Sequence, residues 1–327
     1  MLPLAAACVF AQVGAEVVTD ADGRIIKDTR TQKPTGTPPP TGAPAEAAPA
    51  KPGEPAPAPP APTAREKAEA LEEATRARID EVREAVWAFT ENLPNFTCEQ
   101  HVKRNESEDR AKTWKLKDRV FVDVVYSNGV ENYINAKHNG KPIKKGSPLD
   151  SGSWSTGEYG TIQKDVLAHN TDAKFRYEKD STFGGRAVAL FSYTVQRPNS
   201  HWKVTGDKET LMPAYRGQIW VDKENKRILR IEMQARQIPK EFQFDAVDMT
   251  VDYGTVKIGG KEYVMPVRAE NLACQRYSLR CTKNETEFKN YKQFSAESTV
   301  SAAESTISFD APEEKAAELD KKKPKKK

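Results

Sequence analysis

Along much of the chain after Phe96, apolar residues return at every second position, which is the spacing of a strand with one buried face. Val120, Val122, Val124 and Tyr126 alternate with polar or smaller residues. A turn at Ser127-Asn128-Gly129 follows, and Val130 to Ala136 runs back. His138 to Lys141 carries a second Asn-Gly turn signal, the pairing that two-residue hairpin loops favour. Ala187 to Val195 alternates again, with Phe191 and Tyr193 on one side. Arg216 to Met233 reads as a hairpin folded about Asp222 to Lys226. Val247, Met249, Val251 and Tyr253 line one face of the next strand, and Val256 and Ile258 lead to a turn at Gly259-Gly260. Tyr263, Met265 and Val267 return, and Phe288 to Phe294 and Ser298 to Phe309 supply the last strands.

Two stretches change period. Thr63 with Glu66 fits the capping box that opens a helix. The apolar residues behind it, Leu71, Ile79, Val82, Val86, Phe89 and Leu93, keep mostly to steps of three, four or seven until Pro94. That is a long amphipathic helix whose C-terminal half, with Trp87 and Phe89, is the half fitted to dock. Gly160 to His169 reads as a short helix with Ile162, Val166 and Leu167 inward. No strand-helix-strand rhythm appears, so the sheet is expected to be antiparallel. The predicted fold is α+β, mainly antiparallel β: a curved sheet or half-barrel of about 9–11 strands, covered by one long and one short helix.

The remaining segments have no period. Residues 1–11 open with an apolar run, Leu2 to Ala11, of signal-peptide length and too short to span a bilayer. Cleavage after Ala11 is one reading, and acylation of Cys8 as a lipoprotein is another; no basic residue follows Met1, as though the true start lay upstream. Residues 12–32 form a short polar segment. From Lys33 to Thr63, 12 of 31 residues are Pro and none is Val, Ile, Leu or aromatic, so nothing offsets the entropy of ordering them. This linker is expected to be a disordered tether reaching up to ~90 Å. Residues 64–312 are the foldable domain, and 313–327 a disordered Lys-rich tail. Six of the last seven residues are Lys; without them the net charge of +4 becomes −2. A near-neutral body argues against a nucleic-acid partner.

Chemistry is scarce. Cys274 and Cys281 flank six residues and are candidates for a disulfide, the bond an oxidising compartment permits; Cys98 is then unpaired, or bridges to one of them. No Walker loop or dinucleotide-binding glycine pattern occurs. Gly152 to Gly157 misses the spacing of a nucleophile elbow by one residue. His101, His138, His169 and His201 lie far apart, giving no metal-ligand spacing. The protein is therefore expected to be no enzyme and to need no cofactor or metal. Its aromatics are the remaining signal. Trp114, Phe121, Tyr133, Phe191, Tyr193, Trp220, Tyr253 and Tyr263 on expected strands, with Trp87 and Phe89 on the helix, are either ordinary packing or the lining of an apolar cavity.

The hairpin from Tyr215 to Asp222 (YRGQIWVD), returning as Arg227 to Glu232 (RILRIE), resembles a stretch of the lipoprotein carriers of the LolA and LolB type. That resemblance implies a half-barrel of antiparallel strands closed by helices around a cavity for acyl chains. The segments Asn92 to Cys98, Gly152 to Glu158 and Val251 to Gly254 look like an uncharacterised group of secreted acidobacterial proteins, which implies no activity. Two functions are consistent with this reading. One is an exported protein of the periplasm, extracellular space or cell envelope, free or membrane-tethered, that binds a lipid or acyl chain in a cavity between curved sheet and helices. The other is a non-enzymatic structural or protein-interaction module of the cell envelope, with an envelope protein as partner. Neither has a transmembrane span.

Overall fold

The computed structural model describes residues 9–10, 63–143, 156–207 and 209–294. Most of the leader with Cys8, the polar segment, the tether, residues 152–155 of the Gly/Ser turn, the expected strand Ser298–Phe309 and the Lys tail lie outside the described residues. The chain divides into two compact units, Ala15–Ala74 and Met1–Gly14 with Thr75–Lys327.

Helix α1 (Ala64–Glu91) begins in the first unit with the reciprocal cap its sequence calls for. Thr63 N–H donates to Glu66 Oε2 at 2.6 Å, and Glu66 N–H donates back to Thr63 Oγ1 at 3.3 Å. In the second unit Thr75, Ile79, Val82 and Val86 are buried, so the apolar stripe is used from there onward, whereas Leu71 is exposed. Four strands follow: β2 (Phe96–Ser107), β3 (Lys115–Ser127), β4 (Val130–His138) and the two-residue β5 (Lys141–Pro142). Helix α2 (Thr161–Leu167) leads to β6 (Lys174–Phe183) and β7 (Arg186–Val195). Two short strands, β8 (Val204–Thr205) and β9 (Thr210–Leu211), precede β10 (Ala214–Asp222) and β11 (Ile228–Arg236). The longest strands come last: β12 (Phe244–Ile258), β13 (Lys261–Gln275) and β14 (Cys281–Gln293). The backbone of β1 (Val9–Phe10) pairs with β8, which pairs with β9 in a small ribbon.

The main sheet has eleven strands in the order β5-β4-β3-β2-β14-β13-β12-β11-β10-β7-β6, antiparallel at every step. It is curved and unclosed, as the alternating pattern and short turns predict. Four hairpins turn on two residues of positive φ: Asn128-Gly129, Asn139-Gly140, Gly184-Gly185 and Gly259-Gly260. Such loops match the twist of the strands they join.

β5 and β6 are the two edges of this sheet among the described residues. Ile162, Val166 and Leu167 of α2 join Ile79, Val82 and Val86 of α1 and the buried residues of the strands in a single core. Gly160 permits the close approach: at φ +133° it lies against α1, and a Cβ there would meet Thr90 Cγ2 at 2.7 Å.

Candidate functional site

The inner face of the sheet includes two adjacent rows of side chains that run across the strands. The first is Val120, Val102, Thr286, Ala269, Val251, Ile231, Ile219 and Phe191, each paired in register with the next. All are buried, and all but Thr286 are apolar. The second starts polar and turns apolar: Asp118, Arg104, Asn284 and Asn271 are followed by Met249, Met233, Gly217 and Tyr193. Gly217 is required there, because a Cβ would sit 1.7 Å from the Glu232 carbonyl oxygen, to which Tyr193 Oη donates at 2.8 Å.

The polar end of the second row is closed upon itself. Arg104 donates from Nε and Nη2 to the two oxygens of Asp118 at 2.5 and 2.7 Å, a bidentate pair with both side chains buried. His138 Nε2 lies 3.1 Å from Asp118 Oδ2. Burial alone would raise the Asp118 carboxyl, but Arg104 and then His138 outweigh it and hold the group below the usual carboxylate range. Three residues beyond this row, Cys274 and Cys281 face each other across β13 and β14 and are joined by a disulfide.

At the other end of the strands lies an aromatic cluster under the segment that leads into α2. Phe96 stacks on Tyr126 at 4.8 Å between centroids and contacts Tyr159 and Tyr291, and Tyr159 meets Phe288 edge-on at 5.6 Å. Polar groups are set among these rings. Cys98 is a free, buried thiol with Sγ 3.0 Å from Tyr159 Oη, and burial pushes it up to about 12, so it is not a nucleophile at neutral pH. Gln100 donates to the same Tyr159 hydroxyl at 3.1 Å. Glu131 is half-buried as a residue, yet its carboxylate turns inward and accepts from Tyr133 Oη at 2.6 Å. Burial and then the charge of Glu158 push Glu131 up to about 7.

Between the two ends, Arg227 reaches from the β10–β11 turn to α1. Its Nη1 donates to the Ala85 carbonyl at 2.7 Å, and its guanidinium lies 3.5 Å from the centroid of Phe89. A separate pair anchors α2 from beneath: His201 Nδ1 lies 2.8 Å from Asp165 Oδ1, while Tyr215 Oη donates to Oδ2 at 3.3 Å. Burial raises the Asp165 carboxyl, with His201 opposing it. Outside the core, a groove of about 520 Å³ opens at the ends of β7, β10 and β11, with Arg216, Arg236, Ile238, Asp245 and Arg276 in its wall. Arg276 is committed to the carbonyls of Pro239, Phe242 and Phe244, and Asp245 to Arg110.

The ten aromatics singled out by the sequence fall into three groups. Tyr133, Phe191, Tyr193 and Tyr253 are buried on the inner face. Trp87, Phe89 and Tyr263 are half-buried and pack against the same core. Phe121, Trp220 and Trp114 are not in it. Phe121 and Trp220 alternate with buried neighbours and so point to the outer face, beside His101 and Lys137 and beside Phe183 and Arg230. Trp114 corrects its strand assignment: it lies just before β3, under the Lys283 ammonium. The outer face is otherwise a charged ladder, with Glu287, Arg268, Asp252 and Arg230 in consecutive register. Phe96, Tyr126, Tyr159, Phe288 and Tyr291, which build the aromatic cluster, were not among the ten. Phe96 and Phe288 do sit in phase with the buried positions of their strands, and that is the signal that could have found them.

Among the described residues no helix is long and apolar enough to cross a membrane. No protein-family model matches the chain, and no curated protein matches it. Among solved structures it is similar to a domain described as an outer membrane lipoprotein-sorting protein, from Vibrio parahaemolyticus, at 10% identity over 68% of this chain and 94% of that one, with a TM-score of 0.34. A DUF1329 family protein from Desulfovibrio piger is similar at 10% identity over 68% and 94% of the two chains, TM-score 0.30. The lipoprotein LppX of Mycobacterium tuberculosis is similar at 11% identity over 65% and 94%, TM-score 0.26. These comparisons lend no support to the acidobacterial likeness.

Proposed function

We propose that this is an exported, non-enzymatic envelope protein that holds an apolar ligand, a lipid or its acyl chain, between the curved sheet and its two helices. The observation that carries the reading is the buried row from Val120 to Phe191, apolar at every position but Thr286, on one face of an unclosed sheet whose core is shared with α1 and α2. A closed core of this size would seal itself with strand pairing. Here the cover is made by side chains of two helices, whose contacts can part without breaking a sheet ladder. Each methylene of an acyl chain moved from water into such an interior contributes about 0.8 kcal/mol, so a dozen offer roughly 10 kcal/mol against that parting. The Cys274–Cys281 disulfide supports export, because such bonds persist in oxidising compartments.

Native mass spectrometry of protein purified without detergent tests the reading. We expect a bound species heavier than the polypeptide, which releases lipid on unfolding and is restored by adding lipid to the stripped protein. Apo-protein alone, with no saturable uptake of an apolar probe, would refute it. The protein-partner alternative is favoured by one feature, the ten-residue strand β6, which among the described residues pairs on one side only, and it predicts a co-purifying envelope protein in place of lipid.

A further inference from the structure

Arg227 is a buried cation with no carboxylate at ion-pair distance among the described residues, and only 7% of its surface is exposed. Burial without a counter-ion is costly, and it is rare for a guanidinium unless something offsets it. Two contacts do so in part, the Ala85 carbonyl on Nη1 and the face of Phe89. They leave the Nε side of the group unused: Nε–H is fully enclosed and has no hydrogen-bond partner. Nε and Nη2 form the edge that meets a carboxylate or phosphate with two parallel bonds. The nearby Tyr253 hydroxyl is also enclosed without a hydrogen bond of normal geometry, although Gln163 lies near enough to offset part of the burial that raises its phenol. Burial lowers Arg227 only to about 10, so it is charged at neutral pH. A strut that merely pinned α1 to the sheet would need neither a permanent charge nor an enclosed, idle Nε donor.

We infer that Arg227, with the Tyr253 hydroxyl beside it, receives the anionic head of the apolar ligand, an oxyanion such as a carboxylate carried on an acyl chain. The inference rests on the ligand-binding reading above and adds the chemistry of the head group. The chain would lie along the apolar row, which includes Ile231 on β11 and Val251 on β12, the strands that carry Arg227's neighbour Ile228 and Tyr253.

Displacement of 1-aminoanthracene, an uncharged probe, from the full chain at pH 8 tests it with palmitate, hexadecanol and acetate. The expected result is palmitate binding roughly tenfold tighter than hexadecanol, acetate displacing nothing, and Arg227→Met levelling palmitate with hexadecanol while hexadecanol binding persists. Equal affinity of the wild-type protein for palmitate and hexadecanol would overturn the inference and leave the apolar site standing. Displacement by acetate equal to that by palmitate would overturn it too, as a small-anion site. Failure of all three, with no uptake of the probe, would overturn the ligand-binding reading itself. Should Arg227→Met not fold, judged by circular dichroism, the three-ligand comparison on the wild-type protein decides alone.

Discussion

Arg104 and Arg227 are buried to nearly the same degree, yet they sit in opposite kinds of surroundings. Arg104 lies in mid-strand, directly across from Asp118, and both arms of its fork are taken by that carboxylate. Arg227 lies at the mouth of a hairpin, bonds one helix carbonyl and leaves Nε idle. The Arg104–Asp118 pair is therefore electrostatically complete, while the corner under α1 is not. Two arginines with equal burial thus have different meanings: one is a structural element, and the other is a charge awaiting a partner.

The largest effect should come from breaking the complete pair. Arg104→Met leaves Asp118 buried without its cation and is expected to cost about 3–5 kcal/mol in urea denaturation. Next comes Glu131→Gln. A carboxyl whose folded pKa is raised to about 7 penalises the folded state increasingly as pH rises from its unfolded value through 7, and not below it. The variant should therefore be more stable than wild type by on the order of 2 kcal/mol at pH 8 and equal to it at pH 4. Replacing both Cys274 and Cys281 by Ser removes closure of a short loop and should cost about 2 kcal/mol, with the same loss on reduction of the wild-type protein. The smallest effect is predicted for Arg227→Met in ligand-free protein: removing an unpaired buried charge offsets the lost hydrogen bond and ring contact, so stability should stay within about 1 kcal/mol of wild type. A loss as large as that of Arg104→Met would erase the distinction between the two arginines.

Much of this architecture is legible in the sequence because turn chemistry and alternation agree. Asn128-Gly129, Asn139-Gly140 and Gly259-Gly260 mark their hairpins, and β3 from Asp118 and β12 from Val247 to Tyr253 bury every second residue. β6 does not stand out: Phe175 and Tyr177 alternate, but a bulge between Tyr177 and Lys179 shifts the phase and the rest is polar up to Phe183. The site was less legible than the fold. Aromatic identity cannot say which face a residue takes, so Phe121 and Trp220 read like Tyr133 and Phe191 although only the latter pair point inward. Arg104, Asp118 and Arg227 look like surface residues in a chain that is 30% charged; only strand register and the position of α1 reveal that they are buried.

The most direct test of the account is photoaffinity labelling with a diazirine-bearing palmitate, followed by mapping of the adducts. The account predicts saturable labelling on inner-face positions, such as Val251 and Tyr253 of β12, and on the Ile79–Phe89 stretch of α1, competed away by unlabelled palmitate. Labelling that does not saturate, or that is confined to the outer aromatics Phe183 and Trp220, would contradict it.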